Sequence, residues 1–170
     1  MSPQPMQTTA TPVAHGWEPE IIAFCCNYCA YAAADLAGSK RMQYPANVRV
    51  LKFPCTGRID PVFILKAFQQ GADGVLVSGC HPGDCHYING NYRTAGRYPL
   101  MEKLLEQMGL EHGRVRLEWV SAAEGEKFQH VVTEFTEEIR ALGPLGWGAQ
   151  FHDEAADGDA AEAAREAVPA

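Results

Sequence analysis

Every cysteine of this chain lies between positions 25 and 85, and each group of them closely follows a short apolar run. The groups are Cys25-Cys26-x-x-Cys29, a single Cys55, and Cys80-x4-Cys85. The runs before them are IIAFCC (21–26), VRVLKF (48–53) and GVLVSG (74–79). Each reads as a strand, and the first suits a strand buried on both faces. Parallel strands deliver their carboxyl ends to one edge of a sheet. Three loops distant in sequence would therefore bring their thiols together there, which restricts the fold to one that aligns them.

The segments between the strands read as helices. Ala30 to Ala37 is small and helix-prone, with Gly38 as a stop. Asp60-Pro61 supplies an N-cap and a proline at the first helical position, and the striped helix that follows ends at Gly71. Residues 81–96, rich in Gly and Asn, read as a long loop before an amphipathic helix over 98–109. A fourth strand is expected at 115–121 and a longer helix at 124–142, stopped by Gly143-Pro144. Strands alternating with helices predict an α/β fold: a small four-stranded parallel sheet with helices on both faces, flavodoxin-like or Rossmann-like. In such sheets ligands bind beyond the carboxyl ends of the strands, where all three cysteine groups are expected. The expected organisation is a flexible arm over 1–18, the α/β domain over 19–144 and an acidic, Ala-rich tail over 145–170.

Gathered thiolates make a metal site, an iron–sulfur site or a redox site. An iron–sulfur cluster needs four ligands, usually thiolates, and a 2Fe–2S rhomb takes two on each iron. Cys26-x2-Cys29 places two sulfurs on a strand-to-helix turn, where the helix N-terminus favours thiolate. Cys80-x4-Cys85 brackets His-Pro-Gly-Asp, and Cys55 enters from the neighbouring loop. Cys25 lies further inside its strand and reads as a small buried core residue. Two other chemistries stay open at this point: a structural zinc module that scaffolds a complex, and a thiol–disulfide redox protein using Cys26 and Cys29. His81 and His86 each follow a cysteine, but not at the spacing of a Rieske site, so they read as loop-fixing or sulfur-bonding groups. Arg58 is a candidate to balance cluster charge or to pair with Asp84. Tyr87, Asn89, Asn91 and Tyr92 form a polar-aromatic stretch suited to docking a partner protein.

Composition excludes several classes. Of the seven net negative charges, five come from Asp153–Ala170, which holds six acids against one arginine. The basic residues are scattered, with none of the clustering that nucleic-acid binding needs. No apolar run reaches the ~18–20 residues of a membrane span. The N-terminus has neither a basic nor an apolar signal region, so a cytoplasmic location with reduced thiols is expected. No G-x-G-x-x-G follows the first strand and no phosphate loop is present.

Four strings carry a family likeness: FCCNYCAYAAADLAG (24–38), MQYP (42–45), CTGRIDPVFILKAFQQGADGVLVSGCHPGDCHYINGNY (55–92) and VSAAEGEKFQ (120–129). Over roughly Ile21 to Pro144 the chain resembles the delta subunit of methyl-viologen-reducing hydrogenase. The resemblance implies an electron-transfer subunit with one 2Fe–2S cluster and no substrate of its own. It implies two partners: an electron-donating or electron-accepting oxidoreductase such as a hydrogenase or formate dehydrogenase, and a flavin-carrying heterodisulfide-reductase-like A subunit. Relatives of that kind occur in electron-bifurcating assemblies. The resemblance carries over Cys26, Cys29, Cys55, Cys80 and Cys85 as a candidate ligand set, five residues for four places. The acidic tail departs from the compact ending expected of the family.

Overall fold

The structure, a computed structural model, describes residues 16–147. Four strands, β1 (Ile21–Cys26), β2 (Val48–Phe53), β3 (Gly74–Gly79) and β4 (Val115–Trp119), form one sheet of order β2-β1-β3-β4. All three pairings are parallel. The helices are α1 (Ala30–Ser39), α2 (Pro61–Gln69), α3 (Gly90–Gln107) and α4 (Gly125–Leu142), with a short 3-10 turn at Thr56–Arg58. The α/β class, the parallel sheet and the helices on both faces agree with the expectation from sequence. Among the described residues no helix is long and apolar enough to cross a membrane.

Each face of the sheet has its own core. On one side α1 and α4 cover Ile21, Ala23 and Cys25 of β1, with Phe128, Val132, Phe135 and Ile139 filling the layer. The buried positions of α1 are all alanine (Ala30, Ala33, Ala34 and Ala37), which lets α4 come close. A Cβ on Gly125 would stand 3.1 Å from the Ala37 amide nitrogen. On the other side α2 and α3 cover Phe24, Val75 and Val77 with Ile64, Phe68, Met101 and Leu105. Strand β3 is buried along its whole length. This two-sided burial is why its sequence is a continuous apolar run rather than an alternating one.

Two helix bounds differ from the sequence reading. Gly38 lies inside α1, which runs on to Ser39; the chain turns instead at Arg41, whose φ is 56°. More consequentially, α3 begins at Gly90, so half of the expected long loop is helical. Gly90, Asn91, Gly96 and Pro99 are weak helix formers, but contacts with other segments hold that first stretch. The Asn91 amide donates to the His81 carbonyl at 2.6 Å and Arg97 donates to Gly57 O at 2.7 Å, while within the helix the Thr94 hydroxyl donates back to Gly90 O at 3.0 Å. The Asp60 cap is as expected, its carboxylate accepting from Val62 N at 2.9 Å.

Most of the expected arm and tail, residues 1–15 and 148–170, lies outside the described residues. The flanking residues that are described pack onto the domain. Trp17 lies against the first core and Glu18 binds Arg140. Leu145 and Trp147 lie against the second core, and Leu145 N donates to the Asp73 carboxylate at 2.9 Å.

Candidate metal centre

The site is built at the carboxyl edge of the sheet. Register pairs Cys26 with Phe53 across β1 and β2, while Cys25 of β1 faces Ser78 of β3. The chain therefore leaves three neighbouring strands at one level, immediately before Cys29, Cys55 and Cys80. Strand β1 sends its connection to β2 on one flank, and the chain returns to β3 on the other. The crevice between β1 and β3 is thus the topological switch point where open parallel sheets place ligands.

Five sulfurs converge there. Cys26, Cys29 and Cys80 have their sulfurs within 4.8 Å of one another. The Cys80 sulfur lies 2.7 Å from that of Cys29 and 3.7 Å from that of Cys26. Beside this trio, Cys55 and Cys85 form a pair at 3.8 Å. Strand pleating sends adjacent residues to opposite faces, so Cys25 points away from all five. It is completely buried in the α1/α4 core.

Electrostatics separates the cysteines further. Burial pushes the Cys25 thiol up to about 12, with the neighbouring Cys26 charge adding to it. Burial also raises Cys80 to about 12 and raises Cys26, Cys29 and Cys55; negative charge on the neighbouring sulfurs adds to each rise. Cys85 moves the other way. Burial opposes its ionisation, but the amides of Asn91 and Tyr87, the Cys55 thiol and the Gly90 amide outweigh it and hold the thiol below its ordinary value. Soft thiols packed sulfur to sulfur, and reluctant to ionise side by side, are what a bound cation relieves: it supplies the missing positive charge and displaces the protons. Among the described residues no imidazole joins the Cys26–Cys29–Cys80 group. The His81 ring bonds Glu124 at 2.7 Å, and the His86 ring stacks on Tyr28 at 3.8 Å. The donor set that remains is all thiol, which fits an iron–sulfur cluster.

The glycines and polar groups around the sulfurs shape the pocket. A Cβ on Gly90 would overlap the Cys55 sulfur, and one on Gly57 would stand 2.8 Å from Gly90 Cα. The start of α3 therefore presses its bare backbone against the Cys55 turn, where Gly57 N donates to the Cys55 sulfur at 3.4 Å. Glu124 accepts from Ser121 N and reaches His81, both at 2.7 Å, which ties the Cys80 loop to the head of α4. The Ser121 amide, then His81, keep the Glu124 carboxyl below its ordinary range. Sequence pattern assigns no role at the site to Glu124, Gly57 or Gly90. The available signal is position: Glu124 follows the fourth strand at the same edge, and both glycines lie within five residues of a cysteine.

Of the expected polar-aromatic stretch, Asn91 is buried, while Tyr87, Asn89 and Tyr92 are exposed. Ile88 is 83% exposed at φ 68°, a left-handed conformation rare for a β-branched residue. Arg58 does not pair with Asp84; it lines a recess that opens on Cys55.

Residues 21–143 match the family of the methyl-viologen-reducing hydrogenase delta subunit. The chain is 52% identical over 132 residues to the vhc iron-sulfur subunit of the F420-non-reducing hydrogenase of Methanococcus voltae, covering 78% of this chain and 92% of that one. It is 56% identical over 129 residues to the iron-sulfur subunit of the F420-non-reducing hydrogenase of Archaeoglobus profundus, covering 76% and 94%. It is also 47% identical over 128 residues to the A component of ferredoxin:CoB-CoM heterodisulfide reductase from Methanosarcina mazei, covering 75% of this chain but 16% of that longer protein. With the match spanning every strand and all six cysteines, the chain belongs to the methyl-viologen-reducing hydrogenase delta subunit family.

Proposed function

We propose that this protein is an electron-relay subunit that holds one 2Fe–2S cluster on four of Cys26, Cys29, Cys55, Cys80 and Cys85. The observation that carries the reading is the convergence of five thiols from three separate loops at the switch point of the sheet. Such a cluster supplies one-electron chemistry. The residues of the chain position the sulfurs, exclude bulk water from most of them and tune the environment through the Gly57, Tyr87 and Asn91 amides. Two of the relatives are named iron-sulfur subunits of hydrogenases, which supports both the cofactor and a hydrogenase or similar oxidoreductase as one partner. Another relative, the A component of a heterodisulfide reductase, contains a segment like this chain. Such a segment within that component supports, as the second partner, a heterodisulfide-reductase-like A subunit. Electron bifurcation in the assembly is part of this proposal.

The test is anaerobic purification with metal and sulfide analysis, followed by electron paramagnetic resonance after dithionite reduction. About two irons and two sulfides per chain, with a spin-one-half signal, are expected. Full zinc occupancy without iron would establish a structural module instead. Disulfide reductase activity in metal-free protein, with Cys55, Cys80 and Cys85 dispensable, would establish thiol chemistry.

A further inference from the structure

We infer that the recess beside Cys55 docks a partner protein, and that it takes a segment of that partner carrying carboxylates next to apolar side chains. The recess is a concavity of about 660 Å³, and its walls include Phe53, Cys55, Arg58, Phe63, Tyr87 and Arg93. One surface thus combines an aromatic wall, two cations and a thiol of the centre. The fold builds it from remote pieces. Arg58 closes the 3-10 turn and Arg93 lies in the first turn of α3, and these elements meet where Gly57 packs on Gly90.

Charge decides the chemistry of the occupant. Arg58 and Arg93 are exposed, and neither guanidinium forms an ion pair among the described residues. By contrast, Arg49, Arg114, Arg116 and Arg140 each pair with a glutamate of the domain. No carboxylate lines the recess. Asp60, the acid nearest Arg58 in sequence, is occupied in capping α2. In a chain of formal net charge −7, two unpaired arginines facing one acid-free recess are a local exception. Carboxylates complement them, and arginine's planar fork suits that group. Two cations are too few to follow a phosphodiester backbone, so a protein segment fits better than a nucleic acid.

The apolar part of the surface is held in place before any partner arrives. The Phe53 and Phe63 rings lie 5.5 Å apart, and Tyr87 packs edge-on against His86 at 5.1 Å and Tyr28 at 5.8 Å. Next to Tyr87, the exposed Ile88 is fixed in its left-handed conformation by a bond from its N–H to Cys85 O at 2.8 Å. A β-branched side chain held in solvent at that φ carries a backbone cost, which burial against a partner would offset. Tyrosine and arginine are also the residue types that dominate the energy of protein interfaces. The docking itself needs no metal; its consequence, that electrons cross to the partner on the Cys55 side of the centre, rests on the relay reading.

The experiment is hydrogen exchange on the full chain at low salt, with and without a synthetic peptide, Glu-Glu-Leu-Phe-Glu-Glu, as the probe. The native protein is compared with Arg58→Gln/Arg93→Gln and with Lys40→Gln/Lys103→Gln, which removes the same charge from exposed positions away from the recess. The peptide is expected to slow the amides of residues 53–58 and 87–93 roughly fivefold in the native chain and the lysine variant, the scale of a few exposed charge pairs. It is expected to leave them unchanged in the arginine variant, and in every protein at high salt, where screening is short-ranged. No slowing in the native chain, or equal slowing in the arginine variant, overturns the proposal. So does equal slowing by hexaglutamate or by oligothymidylate, which would make the recess a site for any polyanion. Without peptide, the same amides are expected to exchange alike in the native and arginine proteins. Slower exchange in the native chain would give the recess to a second copy if it grows with protein concentration, or to the chain's own acidic segment if it does not, and either result overturns the proposal. Visible absorbance and iron content of the same samples report on the relay reading separately. Colourless protein with arginine-dependent slowing sinks only that reading.

Discussion

Gly90 and Cys55 meet with no room between them: the sulfur occupies the volume that a side chain on residue 90 would fill. Helix α3 and the Cys55 turn are thereby packed backbone against sulfur, and the site's geometry depends on an absent methyl group. Gly90→Ala is expected to destabilise the fold by roughly 1–3 kcal/mol, the usual cost of overpacking, and to lower iron content by displacing Cys55. Gly96, in the same helix, has open space around it. Gly96→Ala should stabilise by roughly 0.4–1 kcal/mol through the unfolded chain. Urea unfolding of both variants, with iron analysis, checks the contrast.

Single cysteine variants separate the two faces of β1. Cys80→Ala and Cys85→Ala are expected to lose the visible spectrum. Cys25→Ala is expected to keep it, at a cost of about 1 kcal/mol for the small cavity in the α1/α4 core. Loss of colour in the Cys25 variant would reject the five-residue ligand set.

The His81–Glu124 bond gives a pH signature. The Glu124 carboxyl is held below its ordinary 4.5 by the Ser121 amide and His81. A depressed carboxyl contributes stability above its unfolded value, and that contribution is lost as pH falls through the folded value. Glu124→Gln should therefore be less stable than the native protein at pH 6–8, with the gap closing below about 4.5. Thermal melts of both proteins across that range measure it. A gap that persists undiminished in acid would show that the bond's charge is not what matters.

Arg114 is almost fully buried beneath the sheet, where its guanidinium donates to the carbonyls of Asp73 and Gly143 at 3.1 and 3.0 Å. It is also bound to Glu111. Arg114→Met should cost on the order of 2–3 kcal/mol by leaving those carbonyls without a donor. The loss should appear in denaturant midpoint and not in the spectrum of the centre, which is at the opposite end of the strands.

Much of the frame is legible in local pattern. The apolar runs ending at Cys26, Phe53 and Gly79 have the observed bounds of β1, β2 and β3, and Asp60-Pro61 opens α2 where capping chemistry requires. The start of α3 is not legible. Gly90 and Asn91 are poor helix formers, and what makes them helical is contact with Cys55, remote in sequence, and with Cys80 and His81 at the far side of the preceding loop. The role of Glu124 is hidden for the same reason, since its partner lies 43 residues away.

By itself, the amino-acid order determined the alternation of strand and helix and hence that three cysteine-bearing loops share one edge, because hydrophobic period and turn chemistry act over a few neighbours. Only the tertiary structure decided that Cys25 faces one core while Cys26 faces the centre, that the other thiols divide into a trio and a pair, and that Gly90 must lack a side chain. Those outcomes depend on which groups from distant segments compete for the same volume, and that competition exists only once the sheet and its helices are packed.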